Sequence, residues 1–291
     1  MFAGRIWLIG GTSESAEIAR ALSQAHLDYV VTVTTHAAKA LYPAAATVCV
    51  GQLSQQAMEA FVQQWQIRGI LDASHPFACE ISRQAIALAK SSAPSSATSS
   101  ATSSVLSGSS TIAYRRYERP TIVPELPFSQ NTSTDSTSTD NDTVIYVKSI
   151  EKLLNSDILH HQRVFLSLGY RHLARFAPLR QTAQLFARVL PSVDAISGAI
   201  AAGFSSSEIV AIRPPVSPDL EAALWQQWHI TQVVAKASGA AGGEATKRQV
   251  AKQLGIRLVL IERPQLMYPG KMQRHLTPCE SARDTSAGAA Q

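Results

Sequence analysis

Arg5-Ile-Trp-Leu-Ile-Gly-Gly-Thr-Ser-Glu-Ser15 is the stretch that decides how this chain folds. The apolar run Ile6 to Ile9 meets two glycines. Thr12, Ser13 and Glu14 then open a polar segment, Ser15 to Ala25, that carries Ile18, Ala19 and Leu22 on one face. This order predicts a buried strand, a tight turn and the start of a helix. Gly10 and Gly11 let the backbone turn sharply and come close to a ligand. The first helical amides lack intrahelical partners and lie at the positive end of the helix dipole, so they favour an anion. Gly10, Gly11, Thr12, Ser13 and Glu14 are therefore the expected cofactor-binding set, a cradle for nucleotide phosphates. The competing reading is an ordinary helix cap, a common use of Thr and Ser. The motif is not a full G-x-G-x-x-G, because Thr12 and Ser15 stand at the later glycine positions.

The 291 residues, 45% hydrophobic and 16% charged, describe a globular chain with room for about two domains. No apolar run nears the roughly 20 residues needed to cross a bilayer. Gly10-Gly11 interrupts the first apolar stretch too early for a secretion signal, so a cytoplasmic location with no membrane partner is expected. Cys49, Cys79 and Cys279 form no C-x-x-C pair, which argues against a disulfide framework or a zinc site. The His160-His161 pair reads as a solvated helix end, so no metal is expected. A formal charge of +5 without a dense Lys/Arg block favours a small anionic ligand over nucleic acid. The expected working form is a monomer.

Tyr29 to Thr34 is a β-branched strand followed by Thr35, His36 and Lys39. An acid at this point marks NAD in dinucleotide-binding folds. Its replacement by hydroxyls, a histidine and a lysine points to NADPH, with NADH still open and a plain polar loop as the alternative. Thr47 to Val50 predicts a short strand, and Ser54 to Trp65 a helix with Met58, Phe61, Val62 and Trp65 on one face. Ile70-Leu-Asp-Ala-Ser-His-Pro-Phe-Ala78 predicts a strand ending in a loop before a helix from Glu80 to Lys90. Carboxyl ends of strands line the ligand crevice of open α/β sheets. Asp72, Ser74 and His75 stand at such an end, with a structural hydrogen-bonding role for His75 equally open.

Two tracts, Ser91 to Ser110 and Ser129 to Asp142, are rich in Ser and Thr. They read as disordered insertions that cannot bury enough apolar surface to order themselves. Thr111 to Pro120 between them holds a strand that ends in a basic cluster.

The second half echoes the first. Arg163-Val-Phe-Leu-Ser-Leu-Gly-Tyr-Arg-His172 again predicts strand, glycine and helix start. Leu185 to Leu190 and Glu208 to Ile212 are further strands, with a helix from Ser192 to Ala202. Gln226-Gln-Trp-His-Ile230 repeats Gln63-Gln-Trp-Gln-Ile67, and each leads to an apolar strand and polar loop: Asp72-Ala-Ser-His-Pro76 and Lys236-Ala-Ser-Gly-Ala240. Each half closes on Glu-Arg-Pro, at 118–120 and 262–264. The expected fold class is α/β, with two Rossmann-like parallel-sheet domains facing a central cleft and disordered Ser/Thr-rich insertions. The expected boundaries are residues 1–143 for the cofactor domain, 144–270 for the second domain and 271–291 for a flexible tail.

Lys236 and the loop Ser238-Gly-Ala-Ala-Gly-Gly-Glu244 suit a carboxylate or phosphate, the alternative being a flexible strand-to-helix loop. Tyr170, Arg171, His172 and Arg175 add positive charge, and arginine forks pair with carboxylates. Tyr170, Arg171, His172, Lys236, Ser238 and Gly239 are the expected substrate-binding set. Tyr-x-x-x-Lys, G-x-S-x-G and H-E-x-x-H are all absent. A cradle and a basic cleft without a strong nucleophile suit hydride transfer, in which the cofactor carries the reaction.

Taken in order, Leu8-Ile-Gly-Gly-Thr-Ser-Glu14, Asp72-Ala-Ser-His-Pro-Phe-Ala78, Glu118-Arg-Pro120, Ala187-Arg-Val-Leu-Pro191 and Lys236-x-Ser-Gly-x-x-Gly242 resemble the precorrin-6A reductase family of cobalamin biosynthesis. The resemblance spans nearly the whole chain outside the Ser-rich tracts and the tail. It implies two Rossmann-like domains with a nicotinamide cofactor between them. It also implies hydride delivery to an anionic tetrapyrrole, metal-free or with cobalt, and a proton added at the neighbouring carbon. By position it places Gly10 to Glu14 on the cofactor phosphates, Ser74 and His75 near the nicotinamide, and Lys236, Ser238 and Gly239 in the second-domain loop. Many relatives carry an arginine where this chain has Ser15 and Ala16, which leaves Lys39 or Arg20 for the phosphate or a substrate arm. Asp72 and His75 are the catalytic candidates, with solvent as a further proton source. A reductase of another substrate and a non-catalytic NADPH sensor are the alternative functions.

Overall fold

The computed structural model describes residues 4–92, 112–122, 143–269 and 271–272. Both predicted Ser/Thr-rich insertions lie essentially outside these residues. The first unit contains β1 (Arg5–Ile9), α1 (Ser13–Gln24), β2 (Tyr29–Val33), α2 (His36–Lys39), β3 (Val48–Val50), α3 (Gln55–Gln64), β4 (Ile67–Asp72), α4 (Cys79–Ser91) and β5 (Ala113–Tyr117). The second contains β6 (Val144–Val147), α5 (Ile150–Leu154), β7 (Arg163–Ser167), β8 (Gln184–Val189), α6 (Val193–Ala201), β9 (Ile209–Ala211), α7 (Pro218–Gln227), β10 (Gln232–Lys236), α8 (Glu244–Leu254) and β11 (Arg257–Ile261). A last strand, β12 (Lys271–Met272), follows.

The apolar runs are central because all-parallel strands are covered on both faces. Trp7 and Leu8 are wholly buried in β1, as are Val164, Phe165 and Leu166 in β7. Each such side chain contributes about 1.5–3 kcal/mol through burial. The Gln-Gln-Trp echo is also conformational. Trp65 and Trp228 cap the ends of α3 and α7, and the next residues, Gln66 and His229, take left-handed φ values of 51° and 50°.

The first sheet runs β12-β5-β4-β1-β2-β3, and the second β6-β11-β10-β7-β8-β9. Every pairing is parallel. The five inner positions match one to one, so the halves repeat one doubly wound plan. Their sixth strands are exchanged. After β5 the chain leaves to supply β6 beside β11, and after β11 it returns to supply β12 beside β5. The two Glu-Arg-Pro segments lie at these crossings.

Two expectations change. Residues 271–272 form a strand of the first sheet, not the start of a free tail, and Tyr268 just before them packs on the first unit's core. The segment after Gly169 is a 3₁₀ run, Tyr170–Gln181, in place of an α-helix. Its buried residues Leu173, Phe176 and Leu179 recur every third position, the spacing that eclipses in a 3₁₀ helix. Pro178 removes an amide that an α-helix would use.

Candidate functional site

The switch point of each sheet lies between its first and fourth inner strands, and the carboxyl ends there open into a crevice. In the first unit that crevice is bounded by the turn after β1. Gly11 has φ 101° and open space where a side chain would project. Gly10 is glycine because a Cβ there would collide with the Tyr42 hydroxyl. Thr12 caps α1 by accepting from the Ser15 amide at 3.1 Å, and its hydroxyl donates to Ala73 O at 2.9 Å. The cap and the cradle are thus two uses of one turn.

Proton counting fixes the Tyr42 hydrogen bonds. The Ser15 hydroxyl donates to Thr12 O at 2.6 Å and accepts from the Thr12 amide at 3.0 Å. The Tyr42 hydroxyl therefore donates to Ser15 Oγ at 2.6 Å and accepts from the Gly11 amide at 2.7 Å. A tyrosine oxygen thus rests on one cradle amide. Ser15 is fully buried in this network. Arg20 and Lys39 are exposed, Arg20 on α1 and Lys39 at the end of α2.

Glu14 would repel a phosphate, but its carboxylate is gripped by Arg119, whose Nη2 donates to one oxygen at 2.8 Å while Nε pairs with the other. Burial alone would raise its pKa, yet the hydrogen bond and charge of Arg119 hold it below the ordinary value. Arg119 Nη1 also donates to Ser238 O in the second unit at 3.0 Å. Arg263 completes this seam by donating to Ala237 O at 2.8 Å and to Pro120 O at 3.0 Å. Arg119 O accepts from Arg263 as well.

Asp72 is wholly buried at the end of β4. It accepts from the Ser74 amide at 3.0 Å, the Ser74 hydroxyl at 2.7 Å, the Ser82 hydroxyl at 2.6 Å, the Tyr114 hydroxyl at 2.7 Å and Arg116 Nη1 at 2.7 Å. Both of its oxygens are taken up by these donors. The structure therefore makes Asp72 an anchor joining β4, α4 and β5, not a catalytic acid. Removing one partner of such a buried pair costs about 3–5 kcal/mol. Ser74 is committed to the same hub, since its oxygen also accepts from Arg116 at 2.9 Å.

His75 follows on the crevice side. Its Nδ1 accepts from the Phe77 amide at 3.2 Å, which places the proton of the neutral ring on Nε2. Burial first, then the charges of Arg119 and Lys236, lowers its pKa to about 3. His75 is thus an uncharged donor at neutral pH. Phe77 carries the contact across the crevice: it packs against the second unit's core, and Lys236 Nζ lies 5.2 Å from its ring centroid. Among the described residues no hydrogen bond or ion pair is recorded for the Lys236 amine. Burial, then Arg171, lowers its pKa to about 8. His172 is held at about 4 by burial and by Lys236.

The remaining expected positions divide. Thr35 caps α2 at the end of β2 and is exposed, as a ribose-side residue would be. Arg171 is exposed and stacks over Tyr170. The Tyr170 ring itself packs against Gly198 of α6, where a Cβ would meet it, and lies half-buried against the second unit's core. Arg175 pairs with Glu151. Ser238 and Gly239 are buried in the seam, with a Gly239 Cβ falling 2.7 Å from Pro120 O. The Gly239 amide donates to Glu244 at 2.8 Å, so the loop's own carboxylate occupies the anion position. Sequence reading missed Tyr42, Arg116, Arg119 and Arg263. The repeated Glu-Arg-Pro was the available signal for the last two.

Two doubly wound parallel units, with a glycine turn and cationic side chains at their carboxyl ends, define a Rossmann-like α/β protein. The family model described as Precorrin-6x reductase CbiJ/CobK matches residues 5–284. A cobalt-precorrin-6A reductase of Synechocystis sp. is 41% identical over 274 residues, covering 94% of this chain and 93% of the relative. One from Priestia megaterium is 30% identical over 268 residues, covering 90% and 92%. The solved structure described as CobK precorrin-6A reductase shares the fold, with a TM-score of 0.67 at 21% identity over 92% of each chain. The chain belongs to the precorrin-6x reductase family and is an oxidoreductase of cobalamin biosynthesis. No helix among the described residues is long and apolar enough to cross a membrane.

Proposed function

We propose that this chain reduces precorrin-6A, metal-free or carrying cobalt, to the 6B form, using a reduced nicotinamide dinucleotide held at the turn after β1. The carrying observation is the open start of α1, where Gly11 faces free space and Arg119 neutralises Glu14. These residues fit a pyrophosphate, because helix amides and a bare backbone favour an anion there. When bound, the cofactor supplies the hydride. Thr35, His36 and Lys39 carry no acid at the end of β2, which favours the 2′-phosphate of NADPH over NADH. His75 offers one N–H without adding charge beside the nicotinamide. Arg171, His172 and Lys236 face the acetate and propionate arms of the macrocycle. Reducing a ring double bond also needs one proton at the neighbouring carbon.

The test is a spectroscopic assay with both macrocycles and both nicotinamides. Expected is macrocycle-dependent oxidation of NADPH, faster than of NADH. Tight NADPH binding without turnover of either macrocycle would instead mark a sensor.

A further inference from the structure

We propose that Lys236 is the proton donor, delivering H⁺ to the ring carbon adjacent to the one that receives hydride. This rests on the reductase reading above. Asp72 and Lys236 occupy equivalent places, each ending the fourth inner strand of its unit and each followed by Ala-Ser. Their surroundings are opposite. Asp72 is saturated by five donors, whereas the Lys236 amine sits over the Phe77 ring without a recorded polar partner among the described residues.

The other acids of the crevice fail on chemistry. Both Asp72 oxygens are taken up by the donors of Ser74, Ser82, Tyr114 and Arg116, and Tyr114 spends its own proton on Asp72 with its pKa driven up by burial and that carboxylate. His75 and His172 are neutral imidazoles at working pH. The Cys79 thiol, at the start of α4, is pushed up by burial. Arg116, Arg119 and Arg171 are guanidiniums, which do not release protons in proteins.

The charged groups bearing on Lys236 are Arg171 on the 3₁₀ run, which disfavours its charge, and Cys79 on α4, which weakly favours it. Phe77 and His75 come from the loop after β4 and are uncharged at neutral pH. The result is an ammonium at pH 7 that parts with its proton more readily than an ordinary lysine. An acid whose pKa lies near the working pH is the efficient case. In the step, one Nζ–H bond breaks and its electron pair stays on nitrogen. The new C–H bond uses the pair displaced from the ring double bond by hydride. Water then reprotonates the amine.

The experiment compares wild type, Lys236→Arg and Lys236→Gln as full chains with NADPH and each macrocycle, across pH 6 to 10. Arginine keeps the positive charge but gives no proton, so it separates gripping from donating. In wild type the rate should fall as pH rises through about 8, where the amine loses its proton. Lys236→Arg should keep the macrocycle KM within roughly threefold, lose about a hundredfold or more in kcat, and lose the alkaline fall. Dinucleotide affinity and melting temperature of both variants should match wild type, which excludes misfolding. NMR of ¹³C-methylated lysines should show two resonances titrating near 8, from Lys236 and the buried Lys247 of α8, of which one disappears in Lys236→Arg. Near-wild-type kcat in Lys236→Arg, or an alkaline fall that survives it, overturns the proposal. A wild-type protein that reduces neither macrocycle sinks the reductase reading itself, and the proposal with it.

Discussion

The turns at Gly10-Gly11 and Gly239–Gly243 look alike in sequence and are put to opposite uses. Each follows a buried parallel strand, and each leads into a helix with a glutamate in its first turn. At the first, Arg119 draws the Glu14 carboxylate aside and Gly11 faces open space. At the second, Glu244 folds back onto the Gly239 amide, Arg248 holds it there, and Pro120 and Arg263 close over the loop. In one turn an external arginine draws the acid aside; the other holds its own acid and serves as a joint. Glycine-rich sequence at a helix start therefore signals close backbone approach, without saying whether a ligand or another part of the protein approaches.

Substitutions can break this contrast. Gly239→Ala should be the most damaging. Its φ of 76° already strains an L-residue, and the new methyl would lie 2.7 Å from Pro120 O. Together these should cost about 2–5 kcal/mol, seen as a lower urea midpoint. A variant with wild-type stability would mean the seam is looser than described. Gly11→Asp should do the reverse: dinucleotide affinity falls about a hundredfold, roughly 2.7 kcal/mol, while strain at φ 101° costs only about 1–2 kcal/mol. Unchanged affinity by calorimetry would remove the first turn as the cofactor site. Smallest should be Tyr42→Phe, which frees the Gly11 amide and removes one buried hydroxyl. Stability should drop by about 1 kcal/mol, and dinucleotide should bind a few-fold more tightly. Weaker binding would show that Tyr42 orders the cradle and does not compete for it.

The inner strands and the doubly wound plan were legible because burial on both faces leaves continuous apolar runs that end at glycines. Local signals also placed the Thr12 cap and the loop after β4. What sequence could not show were partners far apart along the chain. Arg119 meets Glu14 and Ser238 across 105 and 119 positions, and Tyr42 reaches Gly11 across 31. Asp72 illustrates the same limit. An acid at a strand's carboxyl end reads as catalytic, and only the convergence of Ser74, Ser82, Tyr114 and Arg116 reveals an anchor. β12 has two residues and no period to detect.

The exchanged sixth strands bear on how the molecule is made. A growing chain presents β1 to β5 early, but their sheet lacks an edge until residue 272 has left the ribosome. β6, though translated before β7, has no place to pair until β11 follows it. Arg119 likewise waits for Ser238 before its third contact exists. Neither half can therefore mature ahead of the other, and the crevice acquires its walls only after residue 272 has been made.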